Sequence, residues 1–275
     1  MISFPNCKIN LGLHVVAKRA DGYHNIETAF LPIPWQDALE IIPNKEQGNG
    51  EVTFVSTGIP LPDDAANNLC VKAYKLLHQQ YNLPSIHMHL HKHIPIGAGL
   101  GGGSANAAFT LTMLNQLFNL QLSTTALIAY ALQLGSDCPF FVENVPAYAT
   151  GRGEVLQPIH LPLSKYVVAI INPQIHVPTG WAFQQITPTT STKNIQEILQ
   201  QPIDTWKENL VNDFQQPIVK VYPAIEAIVA KLYAAGALYA AMSGSGSTVF
   251  GIFAPDSVPV LHLPGNYLHK IVTLP

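Results

Sequence analysis

Charge is scarce in this chain. Only 11 % of its 275 residues are Asp, Glu, Lys or Arg, and they leave a net charge of −3. Neither sign is strong enough for the electrostatic footprint of a nucleic-acid or anionic-membrane partner, so a small molecule is the expected ligand. Cysteine is equally sparse. Cys7, Cys70 and Cys138 lie far apart, in odd number and with no Cys-x-x-Cys pair. That excludes a disulfide framework and a zinc knuckle, and suits a reducing compartment. No apolar run approaches the roughly 18 residues of a membrane helix. The opening Met1-Ile2-Ser3-Phe4-Pro5 has neither the basic start nor the apolar run of an export signal, so a cytoplasmic location is expected. A core is not lacking, because hydrophobic residues make up 48 %.

A more local absence is informative. Between Asp64 and Asp137 there is no Asp or Glu, so no nearby carboxylate repels an anion along this stretch. Inside it runs Pro95-Ile96-Gly97-Ala98-Gly99-Leu100-Gly101-Gly102-Gly103-Ser104-Ala105-Asn106-Ala107-Ala108, with five glycines in seven positions. Glycines remove the Cβ atoms that keep backbone N–H groups away from an anion. The run leads into a helix with Ala107, Leu111, Leu114 and Phe118 at helical spacing. Glycine loop and helix N-terminus together form a phosphate cradle. No lysine lies in or just after the loop, which excludes the Walker A pattern. Gly97, Gly99 and Gly102 satisfy the dinucleotide spacing, but the acid that should follow about 20 residues later to hold a ribose is missing.

The remaining periodicities indicate an α+β chain. Lys8 to Val15 alternates, with Lys8, Asn10, Gly12 and His14 assigned to a wet face. Strands are predicted at Ile26–Ile33, Ala38–Ile42, Glu51–Val55, Ile86–His91, Tyr166–Ile171, Leu238–Met242 and Thr248–Phe253. A helix over Asn68–Tyr81 would bury Leu69, Ala73, Leu76 and Leu77, with Asp63, Asp64 and Asn67 as caps. Further helices are predicted from Ser123 to Leu134 and from Pro223 to Ala235, and a polar loop at Ile186 to Thr192. Two lobes are expected, 1–158 and 159–275. His87, His89, His91 and His93 recur with a period of two, which a strand with one wet face explains without a metal.

The loop Pro95–Ala108 resembles the ATP loop of the GHMP kinases (galactokinase, homoserine kinase, mevalonate kinase, phosphomevalonate kinase). Lys8-Ile9-Asn10-Leu11 resembles that family's first motif and Ser243-Gly244-Ser245-Gly246 its third. Further marks are Arg19-Ala20-Asp21-Gly22-Tyr23-His24, Gly135-Ser136-Asp137-Cys138-Pro139-Phe140-Phe141, Gly151-Arg152-Gly153-Glu154, Pro178-Thr179 with Phe183, and Asn212-Asp213. These resemble family members whose substrate carries a cytidine diphosphate group. Cys7, Ala105 and Ser136 depart from the usual pattern.

The resemblance implies a two-lobed α+β fold: an N-terminal ATP lobe like ribosomal protein S5 domain 2 and a ferredoxin-like C-terminal substrate lobe. It implies ATP-dependent phosphoryl transfer to a hydroxyl, with Mg2+ as cofactor. Asp137 would take the hydroxyl proton and Lys8 would steady the developing charge. ATP would meet Pro95, Gly97, Gly99, Leu100, Gly101, Gly102, Gly103 and Ser104, with Asn68 at the adenine and Ser104 as a candidate Mg2+ ligand. Asn10, Tyr23, His24, Thr179 and Phe183 would bind substrate, and Ser243, Gly244, Ser245 and Gly246 would close over the phosphates. The rival readings are another small-alcohol kinase of this family and a non-catalytic nucleotide-binding regulator.

Overall fold

The computed structural model describes residues 1–44, 50–62, 65–189 and 194–275. The expected caps Asp63 and Asp64, and the end of the Ile186 to Thr192 loop, lie outside them. The chain forms two compact units. The first comprises Met1–Cys7, Trp35–Ile96 and Gly101–Val145; the second comprises Lys8–Pro34, Gly97–Leu100 and Pro146–Pro275. Residues 158 and 159, where two successive lobes were expected to meet, both fall in the second unit.

In the first unit, strands Ile2–Ser3, Ala38–Pro43, Ile86–Lys92 and Val52–Gly58 form a sheet in that spatial order. The last pair is parallel and the others antiparallel. One face of Ile86–Lys92 is buried and the other exposed, as its alternation predicts. Leu39, Ile41, Ile86, Met88 and Leu90 share a core with helices Leu69–Tyr81, Gly102–Leu117 and Thr124–Leu134. Helix Leu69–Tyr81 buries Cys70, Val71, Ala73, Tyr74 and Leu77. Leu69 and Leu76 are only half-buried, so its inner face is rotated from the expected one. Ser123 caps its helix through Ala126 N–H, as expected.

In the second unit, the antiparallel sheet in the order Tyr239–Met242, Val249–Phe253, Val167–Asn172, Leu268–Thr273 packs against helix Pro223–Ala234. Ile225, Ile228 and Leu232 point inward. A further sheet runs in the order Asn6–Lys18, His24–Gln36, Ala147–Thr150, Val155–Pro158. Its first strand corrects the expected wet face, because every residue from Asn6 to Val15 is buried. Lys8, Asn10 and His14 find polar partners inside the unit instead of solvent.

Candidate active site

The glycine run divides between the two units, and each part has its own environment. Gly97–Leu100 belongs to the second. The Ala98 carbonyl accepts from Thr248 N–H at 3.3 Å and the Leu100 carbonyl from Lys8 N–H at 3.0 Å. The Gly99 carbonyl accepts from Ser243 Oγ at 2.9 Å and from Lys8 Nζ at 3.3 Å. Ile96 and Gly97 form a turn that Ala98 N–H closes toward the Pro95 carbonyl, and among the described residues the N–H groups of Gly97, Gly99 and Leu100 donate to no protein acceptor. The carbonyls are therefore spent on the scaffold while those donors stay available, the polarity an anion requires. Gly99 has φ +77°, and a Cβ there would sit 2.1 Å from the Ser243 carbonyl oxygen, so only glycine fits.

From Gly101 onward the run belongs to the first unit. The helix begins at Gly102, earlier than the sequence suggested, so Gly102, Gly103 and Ser104 form its first turn. Gly101 is an N-cap without a side-chain cap, and the first N–H groups have no acceptor within the helix. The Ser104 hydroxyl neighbours the Cys138 thiol, which burial pushes up to about 12. Asp137, next to that cysteine in the chain, is half-buried.

Sequence reasoning missed a network beneath this turn. Lys92 is 3 % exposed and forms a buried ion pair with Asp37, itself 1 % exposed. Asp37 also accepts from His93 N–H at 2.7 Å, Ile94 N–H at 2.8 Å and Asn106 Nδ2 at 2.9 Å. Both flanks of the Ile94–Gly102 stretch are thereby fixed within the unit. A Cβ on Gly102 would lie 3.0 Å from Lys92 Nζ. The signal was present in the alternation, since Lys92 falls on the face of Ile86, Met88 and Leu90. Asn68 is the true cap of Leu69–Tyr81, its Oδ1 accepting from Cys70 N–H at 2.9 Å.

The second unit gathers the first and third motifs. Lys8 is 3 % exposed, donates to Asn10 Oδ1 at 2.6 Å and lies 4.9 Å from the Phe30 ring centre. Asn10 N–H donates to Ser243 Oγ at 3.2 Å, and Asn10 Nδ2 donates to Thr28 Oγ1 at 3.0 Å. The turn at Ser243, Gly244, Ser245 and Gly246 joins two antiparallel strands and is anchored by Asn212 Nδ2, which donates to the Met242 and Gly244 carbonyls at 2.7 and 2.9 Å. Thr179 Oγ1 lies 3.3 Å from Ser245 Oγ. The neighbouring Asp213 carboxylate takes Val15 N–H and pairs with His14 Nδ1. Asn212 and Asp213 thus act as clamps on the turn and on the first strand, a role the sequence left unassigned.

His24 stacks on Phe183, with ring centres 4.6 Å apart. Burial, with help from the Lys18 charge, holds the His24 pKa below its ordinary value. Tyr23 is 54 % exposed, with the Arg152 guanidinium 4.9 Å from its ring centre. His87, His89 and His91 line the wet face of their strand, and Thr57 Oγ1 lies 2.9 Å from a ring nitrogen of both His89 and His91. Among the described residues no group of three or more His, Cys, Asp or Glu is placed to hold a metal ion. None of their helices is long and apolar enough to cross a membrane.

The glycine turn of the second unit presents backbone donors with its carbonyls engaged, and the comparisons with known proteins give the class of the chain. The family model for the GHMP kinases N terminal domain matches residues 68–144, and that for the GHMP kinases C terminal matches residues 194–259. The chain belongs to the GHMP kinase family, and membership implies use of ATP. It is 50 % identical over 261 residues to a 4-diphosphocytidyl-2-C-methyl-D-erythritol kinase of Azobacteroides pseudotrichonymphae, covering 94 % of this chain and 96 % of the relative. A protein of the same name from Cytophaga hutchinsonii is 52 % identical over 254 residues, 92 % of each chain. A crystal structure of 4-(cytidine 5'-diphospho)-2C-methyl-D-erythritol kinase matches with a TM-score of 0.77 at 31 % identity, over 92 % of this chain and 90 % of that one. The mevalonate kinase of Methanococcus jannaschii shares the fold, with a TM-score of 0.68 at 14 % identity over 99 % and 97 % of the two chains.

Proposed function

We propose that this chain transfers the γ-phosphate of ATP to the 2-hydroxyl of 4-diphosphocytidyl-2-C-methyl-D-erythritol, a cytoplasmic step of non-mevalonate isoprenoid precursor synthesis. The observation that carries this reading is identity of about half, over nearly the whole length, with relatives of that name.

Phosphoryl transfer needs in-line positioning and charge neutralisation more than covalent work by the protein. The backbone N–H groups of the glycine run are the proposed donors to the β- and γ-phosphates. Asp137 takes the proton of the 2-hydroxyl as its oxygen bonds to the γ-phosphorus and the bond to the ADP oxygen breaks. Lys8 supplies positive charge to the attacking oxygen, and Asn10, hydrogen-bonded to Lys8, orients the substrate diol. The Ser243–Gly246 turn closes over the phosphates. Ser104 would offer Mg2+ a hard hydroxyl oxygen of the type that ion takes, and the ion would supply neutralisation of phosphate charge there. Pro95 and Leu100 frame the nucleotide loop. Asn68 spends its Oδ1 on its helix and keeps its amide NH2 for adenine.

On the substrate side, Tyr23 and Phe183 stack on the cytosine, His24 hydrogen-bonds it as the neutral imidazole, and Thr179 lines the same site. The test is ADP release with the cytidine-diphosphate substrate against the same compound lacking cytidine. Rapid release with the first alone supports the reading. Equal rates with both, or faster release with homoserine or mevalonate, contradict it.

A further inference from the structure

Tyr23 is a half-exposed aromatic on a loop, a poor anchor for a base unless something fixes its ring. The contacts around it do so. Arg152 places its guanidinium carbon 4.9 Å from the Tyr23 ring centre, within the range of a cation–π contact. Arg152 is itself held. Its Nε lies 3.5 Å from Glu154 Oε1, and its backbone N–H donates to Glu154 Oε2. Gly151, at φ +69°, makes this tight turn, since a Cβ there would meet Glu154 Oε2 at 2.8 Å. The Gly151 carbonyl accepts from Ile26 N–H at 2.7 Å, which ties the turn to the strand that starts at His24.

The backbone of Tyr23 is fixed from the other side. Its N–H donates to Asp21 Oδ1 at 3.1 Å, and Arg19 holds Asp21 through Nε and Nη2. One face of the ring is therefore backed by a tethered cation, and the exposed remainder is left for a ligand.

We propose that Arg152 is a positioning residue for substrate specificity: it backs the Tyr23 ring so that the opposite face is presented, pre-set, to the pyrimidine base. The inference rests on the proposed stacking role of Tyr23. Pre-setting an exposed ring removes part of the ordering cost of binding, so the benefit appears in affinity and not in the chemical step.

The experiment compares wild type, Tyr23→Ala, Arg152→Met and Arg152→Lys in KM for the cytidine-diphosphate substrate, KM for ATP, kcat, and inhibition by cytidine itself, which carries no phosphate. Arg152→Met is expected to raise the substrate KM and the cytidine inhibition constant by the same factor, about three- to tenfold for a contact of this class. KM for ATP and kcat stay unchanged, and Arg152→Lys, keeping a cation, lies nearer wild type. A rise in substrate KM with unchanged cytidine inhibition would mean that Arg152 binds phosphate, and overturns the inference. So does an Arg152→Met enzyme with wild-type constants while Tyr23→Ala is impaired. If Tyr23→Ala changes neither constant, the stacking role of Tyr23 is refuted and the inference falls with it.

Discussion

Ser243 and Gly99, 144 residues apart, are locked together twice. The Ser243 hydroxyl donates to the Gly99 carbonyl at 2.9 Å, and the Cβ that Gly99 lacks would sit 2.1 Å from the Ser243 carbonyl oxygen. The third motif thus fixes the orientation of the glycine turn. With its carbonyls bound to Ser243, Lys8 and Thr248, the turn keeps the N–H groups of Gly97, Gly99 and Leu100 for a ligand.

Two glycines separate folding from binding. Gly99→Ala forces a side chain into the left-handed region, at roughly 1–2 kcal/mol, and against backbone. It is expected to lower Tm by several degrees and to weaken ATP binding more than about tenfold. Gly103 lies in a helical turn where an added Cβ meets nothing closer than Leu69 Cδ1 at 3.9 Å. Gly103→Ala is expected to keep or raise Tm, gaining up to about 1 kcal/mol of helix propensity, while ATP affinity falls. Calorimetric titration with wild-type affinity for Gly103→Ala would remove the first helical turn from the phosphate site.

Asp137→Ala is expected to cut kcat by at least about 10²–10⁴-fold while ATP affinity stays within a few-fold, read by coupled ADP release and by titration. Turnover near wild type would take Asp137 out of the mechanism.

The Asp37–Lys92 pair is buried, and removing one partner leaves an uncompensated charge. Lys92→Met is expected to cost about 3–5 kcal/mol in urea unfolding. Adding Asp37→Asn should recover part of that loss, because Asn keeps an acceptor for the His93 and Ile94 N–H groups without a bare charge. If the single variant unfolds like wild type, the network does not support the loop.

Burial raises the thiols of Cys7 and Cys138 from 9.0 to about 12 and that of Cys70 to about 11. A folded pKa above the unfolded one means the stabilisation is fully present below pH 9 and is lost as pH rises through 11–12. Tyr74 and Tyr148, pushed up from 10.0 to about 12 by burial, act in the same direction. The urea midpoint should hold to about pH 9 and then fall. At pH 8 a thiol reagent should label the three cysteines only after denaturation; rapid labelling of native protein would contradict their burial.

Much of the fold was legible because its strands and helices alternate cleanly. Ile86–Lys92 buries every second residue, and Pro223–Ala234 buries Ile225, Ile228 and Leu232. The strand carrying Lys8 was misread because covering both faces erases the meaning of alternation; its polar side chains are paired inside the second unit. The glycine loop was visible from composition. The support beneath it was not, because Asp37, Lys92 and Asn106 come from three distant elements, and pairing across such distances leaves no local pattern. The same holds for Ser104 beside Cys138 and for Asn212 beneath the Ser243–Gly246 turn.

The most direct test is phosphorus NMR of a reaction containing the protein, ATP, Mg2+ and 4-diphosphocytidyl-2-C-methyl-D-erythritol. One new phosphate monoester, coupled to the carbon bearing the 2-hydroxyl and formed mole for mole with ADP, is the expected result. ADP accompanied only by inorganic phosphate, or a monoester on a different oxygen, would contradict the proposed transfer.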